Sequence, residues 1–349
     1  MSTQKAVAVV AKGQPVQLIE RPIPKPKAGE VLVKVSIAGL NPHDGLVRDI
    51  AYFIGEENLP AVLSIDIVGE VVQVGDAVTA FKIGDKVMGQ GDPAVPDTNG
   101  TQEYALLDAD FTAHLPASIS PDQANTIILN VLTSYLAVFG PGFEIPSPLS
   151  TPDKSFDYGN TTIVVVGGGS ACGKFAIQLA AWAGIGTIIT VAGKTGEVGL
   201  RFMGATHVID RSLSEEDIRS EIHSITGDEL LYVLDCINRD DHTPSVRLLS
   251  DTKKGTFVPL AVSRPNTIDE SKVGPKKEGY VFKKFVARLS LFREIAKEFY
   301  QVLPKLIDEG VLRPTAFEVI EGLDVGMINA QLDKFSERAW PSRVNVHVQ

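Results

Sequence analysis

Two cysteines in 349 residues are too few for a disulfide framework, and both Cys172 and Cys236 sit in apolar stretches that read as buried packing. Nowhere do about 18 apolar residues run uninterrupted, so no membrane-spanning helix is expected. Residues 1–20, MSTQKAVAVVAKGQPVQLIE, lack the long apolar core of a secretory signal, and the expectation is a cytosolic protein. Basic residues are outnumbered, 33 Lys and Arg against 43 Asp and Glu for a net charge of −10. No basic stripe is long enough to neutralise a phosphate backbone, which argues against nucleic acid and anionic membranes as partners.

What is present is an ordinary ordered composition, 44% hydrophobic and 22% charged, at a length that suits about two domains. The first 120 residues alternate with a period near two and are broken by Gly, Pro and Asp about every ten positions: KAVAVV, VLVKVSIAGL, DIVGEVVQVG, DKVMGQ and TQEYALLD. Such a pattern predicts a small antiparallel barrel or sandwich. ISPDQANTIILNVLTSYLAVFG then offers Ser120 as an N-cap, a proline at the first helical position and a long apolar face, and predicts one helix. From Thr161 the rhythm is strand and helix in turn: TTIVVVG, KFAIQLAAWAG, TIITVAG, EVGLRFMG, THVID, EEDIRSEIHSITG, LLYVLDCI and GTFVPLA. Near-continuous apolar strands between amphipathic helices predict a doubly wound parallel sheet and an α/β fold. Residues 146–158 and the polar stretch 263–282 read as loops flanking the expected cleft. A last helix near Leu291 to Glu309 precedes two or three strands that return to the first domain. The expected division is 1–124 with 290–349 for the barrel domain and 125–289 for the nucleotide-binding domain.

The chemistry concentrates in VVVGGGSACGKFAIQLA, residues 164–180. A strand running into Gly167, Gly168, Gly169, Ser170, Ala171, Cys172 and Gly173 and then into a helix reads as a phosphate-holding turn, with Ser170 at the middle position of G-x-G-x-x-G. A serine there is small, and its hydroxyl is expected to donate to a phosphate oxygen. An NAD site would place Asp or Glu at the end of the second strand, about 20 residues on. This chain has Gly193, Lys194 and Thr195 there, and Arg211 just past the third strand. Lysine and arginine can pair with a 2′-phosphate, so NADPH is the expected cofactor.

VGEVVQVGDAVTAFKIGDKVMG and GGGSACGKFAIQLA, in this order, resemble the GroES-like barrel signature and the nucleotide turn of the medium-chain dehydrogenase/reductase superfamily. The resemblance covers essentially the whole chain. It implies a GroES-like catalytic domain joined to a Rossmann domain. Zinc members carry a ligand Cys two residues after the Gly of AGLNPHD and a G-H-E motif; here those positions hold Asn41, Ile65 and Asp66. Zinc needs three or four N, S or O ligands together, and His43 alone does not supply them, so no metal is expected. The chain therefore resembles the zinc-independent branch of quinone oxidoreductases and enoyl reductases, including stand-alone fungal enoyl reductases. That branch has an N-P-x-D pattern, matched by Asn41, Pro42 and Asp44, and in several members a tyrosine 11 residues beyond the Asn, here Tyr52.

The resemblance implies hydride delivery from NADPH to the conjugated C=C of an enone, quinone or enoyl thioester, small or carrier-bound, by a monomer or homodimer. Tyr52 is the first candidate as proton donor, and Asn41 and Thr133 are candidates for orienting the nicotinamide or substrate. Asn41, Pro42 and Asp44 are also expected near the cofactor, although Asp44 suits fixing the barrel turn better than shuttling protons. By the same resemblance Cys236 to Asn238 and Leu260, Ala261 and Val262 touch the nicotinamide through backbone atoms. The alternatives left open are a metal-free carbonyl reductase or alcohol dehydrogenase, and a non-catalytic NADPH-binding protein.

Overall fold

The structure is a computed structural model that describes residues 2–149, 155–238, 240–260, 267–337 and 343–348. It divides into two compact units, residues 1–129 with 288–349, and residues 130–287.

The first unit opens with β1 (Thr3–Val9), β2 (Gln17–Pro22) and β3 (Glu30–Leu40), passes through α1 (Pro42–Ile50), and continues as β4 (Ala61–Val62), β5 (Asp66–Val74), β6 (Lys86–Gln90), β7 (Tyr104–Asp108), β8 (Thr112–His114) and the short helix α2 (Pro121–Asn125). The alternation of β3 works as period-two patterning requires, with Lys34 and Ser36 exposed while Val31, Val33 and Val35 are buried. A register shift in the β3–β5 pairing falls between Val35 and Ile37. Close by, a Cβ on Gly69 would lie 2.2 Å from the Lys34 carbonyl, so only glycine lets β5 approach there.

The second unit holds most of α3 (Ile128–Val138) and then β9 (Thr162–Val166), α4 (Ala171–Trp182), β10 (Thr187–Ala192), α5 (Glu197–Phe202), β11 (His207–Asp210), α6 (Glu215–Thr226), β12 (Tyr232–Asp235), α7 (Thr243–Arg247), β13 (Gly255–Pro259), α8 (Glu270–Val273) and β14 (Tyr280–Phe282). Its six strands are all parallel, in the order β11-β10-β9-β12-β13-β14. Apolar residues one step apart along β9 serve opposite faces. Ile163 and Val165 join Ala176, Ile177 and Ala180 of α4 in one core, whereas Val164 and Val166 join Ile222 of α6 and Val246 of α7 in the other. Each such fully buried aliphatic side chain contributes about 1.5–3 kcal/mol, which is why a strand covered on both faces reads as an unbroken apolar run.

The chain then returns to the first unit as α9 (Arg293–Asp308), β15 (Phe317–Glu321), α10 (Val325–Ser336) and β16 (Arg343–His347). There the larger sheet runs β15-β16-β3-β5-β6-β8, with β7 also on β3, and a smaller one runs β2-β1-β4.

Three expectations are corrected. Residues 263–282 are not simply a loop: 263–266 lie outside the described residues, but the remainder carries α8 and the edge strand β14, whose half-buried side chains gave a weak apolar signal. Between the last strands lies α10, capped by Asp324, whose carboxylate accepts from Met327 N at 2.9 Å, and burying Ile328, Leu332 and Phe335 at helical spacing. The single helix expected after Ser120 is two, α2 and α3. In a continuous helix Leu129 N would donate to Asn125 O. Instead Leu129 N donates to Asp66 Oδ1 at 2.8 Å, and Asn125 O accepts from Arg343 Nη2 at 3.1 Å. An ion pair from distant strands thus enters the ladder and breaks it.

β16 also carries a pH-sensitive contact. His347 Nε2 lies 3.0 Å from Asp122 Oδ1 and Nδ1 lies 3.3 Å from Glu321 Oε2. Burial disfavours the imidazolium, but the hydrogen bond and charge of Asp122, then those of Glu321, outweigh it and raise the pKa above 6.5. The stabilisation is therefore full below about 6.5, the unfolded value, and is lost as pH rises through the higher folded value. In denaturant titrations from pH 5.5 to 9, a His347→Gln variant is expected to be less stable than the wild type at the acidic end and to converge with it at the alkaline end. A stability difference independent of pH would contradict this.

Candidate functional site

The turn between β9 and α4 is built from glycines with separate duties. Gly167 takes φ +85°, and a Cβ there would strike Ile237 Cγ2 at 2.4 Å. A Cβ on Gly168 would stand 1.9 Å from Thr190 Oγ1, and one on Gly173 would stand 2.3 Å from Gly167 O. These two let strand, turn and helix close on one another. Gly169 is exposed, and a Cβ there would meet nothing within 4 Å, so the turn is open at that point.

Ser170 departs from expectation in its hydroxyl. It is the N-cap of α4: Oγ accepts from Gly173 N at 3.1 Å and lies 2.8 Å from Gly167 O, to which it donates. Its one proton is thereby committed to the turn itself. What the turn offers an anion is backbone, the N–H groups of Ala171 and Cys172 in the first turn of a twelve-residue helix, which have no intrahelical acceptor. Gly173→Ala is expected to cost about 1–3 kcal/mol through overpacking and to weaken nucleotide binding together with stability. Thermal melts with and without NADPH check this, and an unchanged melting temperature would contradict it.

At the end of β10 the structure brings together Gly193, Lys194, Thr195 and Arg211. Lys194 and Thr195 lie exposed in one 3₁₀ turn, Arg211 N donates to Ala192 O at 2.9 Å, and Arg211 Nε lies 3.7 Å from the position a Gly193 Cβ would take. The adjoining Asp210 carboxylate sits low chiefly because it accepts hydrogen bonds from Ser212, with smaller contributions from Lys194 and Arg211. Among the described residues, neither cation has a carboxylate within 4 Å.

The end of β12 rests on a residue the sequence reading missed. Asp235 is fully buried; Oδ1 accepts from Ile237 N at 3.0 Å and Asn238 N at 2.9 Å, and Oδ2 accepts from Asn238 Nδ2 at 2.7 Å and Ser245 Oγ at 2.6 Å. It holds the loop 236–238 in shape and leaves the Asn238 side chain facing inward. Leu260 N donates to Asp235 O at 2.8 Å, while Ala261 and Val262 lie outside the described residues. Burial pushes the Cys172 thiol up to about 12 and the Cys236 thiol well above its ordinary value, which disfavours the thiolate form that a nucleophile needs. Thr133 is half-buried on α3.

In the first unit Asn41 follows β3 and caps α1. Its N–H donates to Asp44 Oδ2 at 2.7 Å, and Asp44 Oδ1 accepts from Ser64 N at 2.7 Å, so Asp44 fixes the turn; Pro42 occupies the first helical position. The Asn41 amide is consumed locally. Nδ2 donates to Gly39 O at 3.1 Å and to Asp66 Oδ2 at 2.9 Å, and Oδ1 accepts from Arg343 Nη1. Both amide protons are therefore committed within the chain. Arg343 also donates to Asp66 Oδ2. Burial brings its guanidinium down to about 10, so it stays charged at neutral pH. Among the described residues no three His, Cys, Asp or Glu side chains are grouped so as to hold a metal ion.

Tyr52 follows α1, half-buried, its ring 4.1 Å from that of Phe53 between centroids. Burial raises its pKa above 10, so the phenol is protonated at neutral pH. Among the described residues nothing hydrogen-bonds its hydroxyl.

Residues 27–117 match the alcohol dehydrogenase GroES-like domain family, and residues 171–307 match the zinc-binding dehydrogenase family. A trans-enoyl reductase of Penicillium crustosum is 31% identical over 261 residues, 71% of this chain and 69% of that protein. A dehydrogenase of Monascus ruber is 34% identical over 235 residues, 63% of this chain and 62% of that one, so the match spans less than two thirds of that relative. Among solved structures, a mycobacterial protein in complex with NADPH superposes with a TM-score of 0.74 at 20% identity, covering 99% of each chain. The chain belongs to the medium-chain dehydrogenase/reductase superfamily, with a GroES-like domain and a Rossmann-type domain. No helix among the described residues is long and apolar enough to cross a membrane.

Proposed function

We propose that this protein is an NADPH-dependent reductase that works without zinc on a conjugated acceptor: an enone, a quinone or an enoyl thioester. The observation that carries the reading is the state of the positions that hold zinc ligands in zinc members of the superfamily. They are Asn41, Ile65 and Asp66, and the two polar ones are closed on Arg343. With no Lewis acid, an acceptor must be electrophilic already, and its oxygen must be stabilised by hydrogen-bond donors as charge develops. A conjugated carbonyl meets that condition better than a simple ketone. The trans-enoyl reductase of Penicillium crustosum supports the same acceptor class.

The second unit fits the nucleotide. The open Gly169, the first-turn N–H groups of α4, and Lys194 and Arg211, which form no ion pair within 4 Å among the described residues, make a donor set for a pyrophosphate and a 2′-phosphate. When bound, NADPH supplies the hydride. Lys194 and Arg211 select the phosphorylated form, and Tyr52 supplies a proton from its phenol. The Lys194→Ala, Arg211→Ala double variant is expected to raise KM for NADPH roughly 10- to 100-fold, the loss of two charge-assisted contacts in solvent, and to leave KM for NADH within a few-fold. Steady-state kinetics with both nucleotides checks this, and equal effects would refute the assignment.

Mixing the protein with NADPH and a panel of quinones, enones, aldehydes and acyl thioesters tests the function. NADPH consumption with conjugated acceptors alone supports it. Consumption with aldehydes alone favours a carbonyl reductase, and binding without turnover favours a non-catalytic nucleotide-binding protein.

A further inference from the structure

Helix α3 presses on the first turn of α4 through a small polar contact. Ser134 Oγ lies 2.8 Å from both Asn130 O and Cys172 O, and the Cys172 thiol donates to Asn130 Oδ1 at 3.3 Å. The oxygen side of the Asn130 amide is thereby turned to α4. The nitrogen side is left over: Asn130 is 8% exposed, and its Nδ2 is buried with no acceptor among the described residues. Buried polar side chains nearly always find a partner, and a buried amide donor without one is an anomaly that calls for a reason.

The reason lies in the neighbourhood. The N–H groups of Ala171 and Cys172 belong to the same first turn and lack intrahelical acceptors, and the positive end of the α4 dipole adds to them. Asn130 is tied to that turn through the Cys172 thiol, so its spare donor and the two backbone N–H groups belong to one neighbourhood, and among the described residues Nδ2 has no acceptor. Such a set is complementary to an oxygen-rich, anionic ligand.

We propose that Asn130 is a direct ligand of the nicotinamide nucleotide, its Nδ2 donating to an oxygen of that molecule over the first turn of α4. This rests on the NADPH reading above and adds to it a contact from outside the glycine turn. The side chain does two jobs with two atoms: Oδ1 holds Cys172, and Nδ2 serves the ligand.

Asn130→Asp keeps the shape and the acceptor for the Cys172 thiol but removes the donor and sets a carboxylate against an anionic ligand, so its loss of affinity counts only if Asn130→Ala shares it. Asn130→Ala removes both and decides the question if the aspartate does not fold. The readouts are the Kd for NADPH and for NADH, by nucleotide fluorescence, and the melting temperature of the nucleotide-free protein. The expected result is binding weakened roughly 10- to 100-fold by either substitution, the range for a lost hydrogen bond to a charged partner. The loss should be the same for both nucleotides, unlike the NADPH-only loss expected from Lys194 and Arg211. Wild-type affinity in both folded variants overturns the contact alone. A wild-type protein that binds neither nucleotide overturns the proposed function and this contact with it.

Discussion

Replacing Arg343 by methionine is expected to lower the free energy of unfolding by about 3–5 kcal/mol, because it strands a buried carboxylate. Asp66 is fully buried and takes hydrogen bonds from Asn41 Nδ2, Leu129 N and Arg343. Methionine fills much of the volume but supplies neither charge nor donors, and it leaves Asn125 O and Asn41 Oδ1 short of a partner as well. Lysine would not rescue the site, since one ammonium cannot reproduce the planar fork that reaches Asp66, Asn41 and Asn125 at once. The Asp66→Asn, Arg343→Met double variant should recover part of the loss because no charge is then stranded. Urea denaturation of the three variants checks this, and a loss below about 1 kcal/mol for Arg343→Met would show that the pair behaves as a solvated surface bridge.

Tyr52→Phe is expected to lower kcat by about 10²–10⁴-fold with KM little changed, the range for loss of a positioned general acid. Phenylalanine keeps the packing against Phe53 and removes only the hydroxyl. Because burial raises the Tyr52 pKa, the wild-type donor stays protonated through neutral pH, and no fall in kcat from its ionisation is expected below about pH 10. Steady-state kinetics on a conjugated acceptor measures both. A kcat within three-fold of wild type would make Tyr52 a packing residue and move the proton donor elsewhere.

The parts of this protein that were legible in its sequence are those where local geometry forces residue type. The run VVVGGG is readable because Gly167 must turn and Gly168 and Gly173 must be approached closely, so each leaves its mark in the chain. That Lys194 and Arg211 lie near each other follows from β10 and β11 being parallel neighbours with Ala192 opposite Asp210, which brings the two strand ends together. The Asp66–Arg343 pair was not readable. Its members are 277 positions apart, and nothing near either announces the other. The break between α2 and α3 was hidden for the same reason, since a local pattern of capping and apolar spacing carries no record of an ion pair arriving from β5 and β16. Asn130 escaped for a different reason: in sequence it is one polar residue in an apolar helix, and only its burial and its unpaired nitrogen set it apart.

On the proposed function, a reduced pyridine nucleotide is held at the turn from Gly167 to Gly173 with no metal required. Calorimetric titration of the EDTA-treated protein with NADPH tests this most directly. One saturable site per chain is the expected result, and the absence of any binding heat across a millimolar range, in protein shown to be folded, would contradict it.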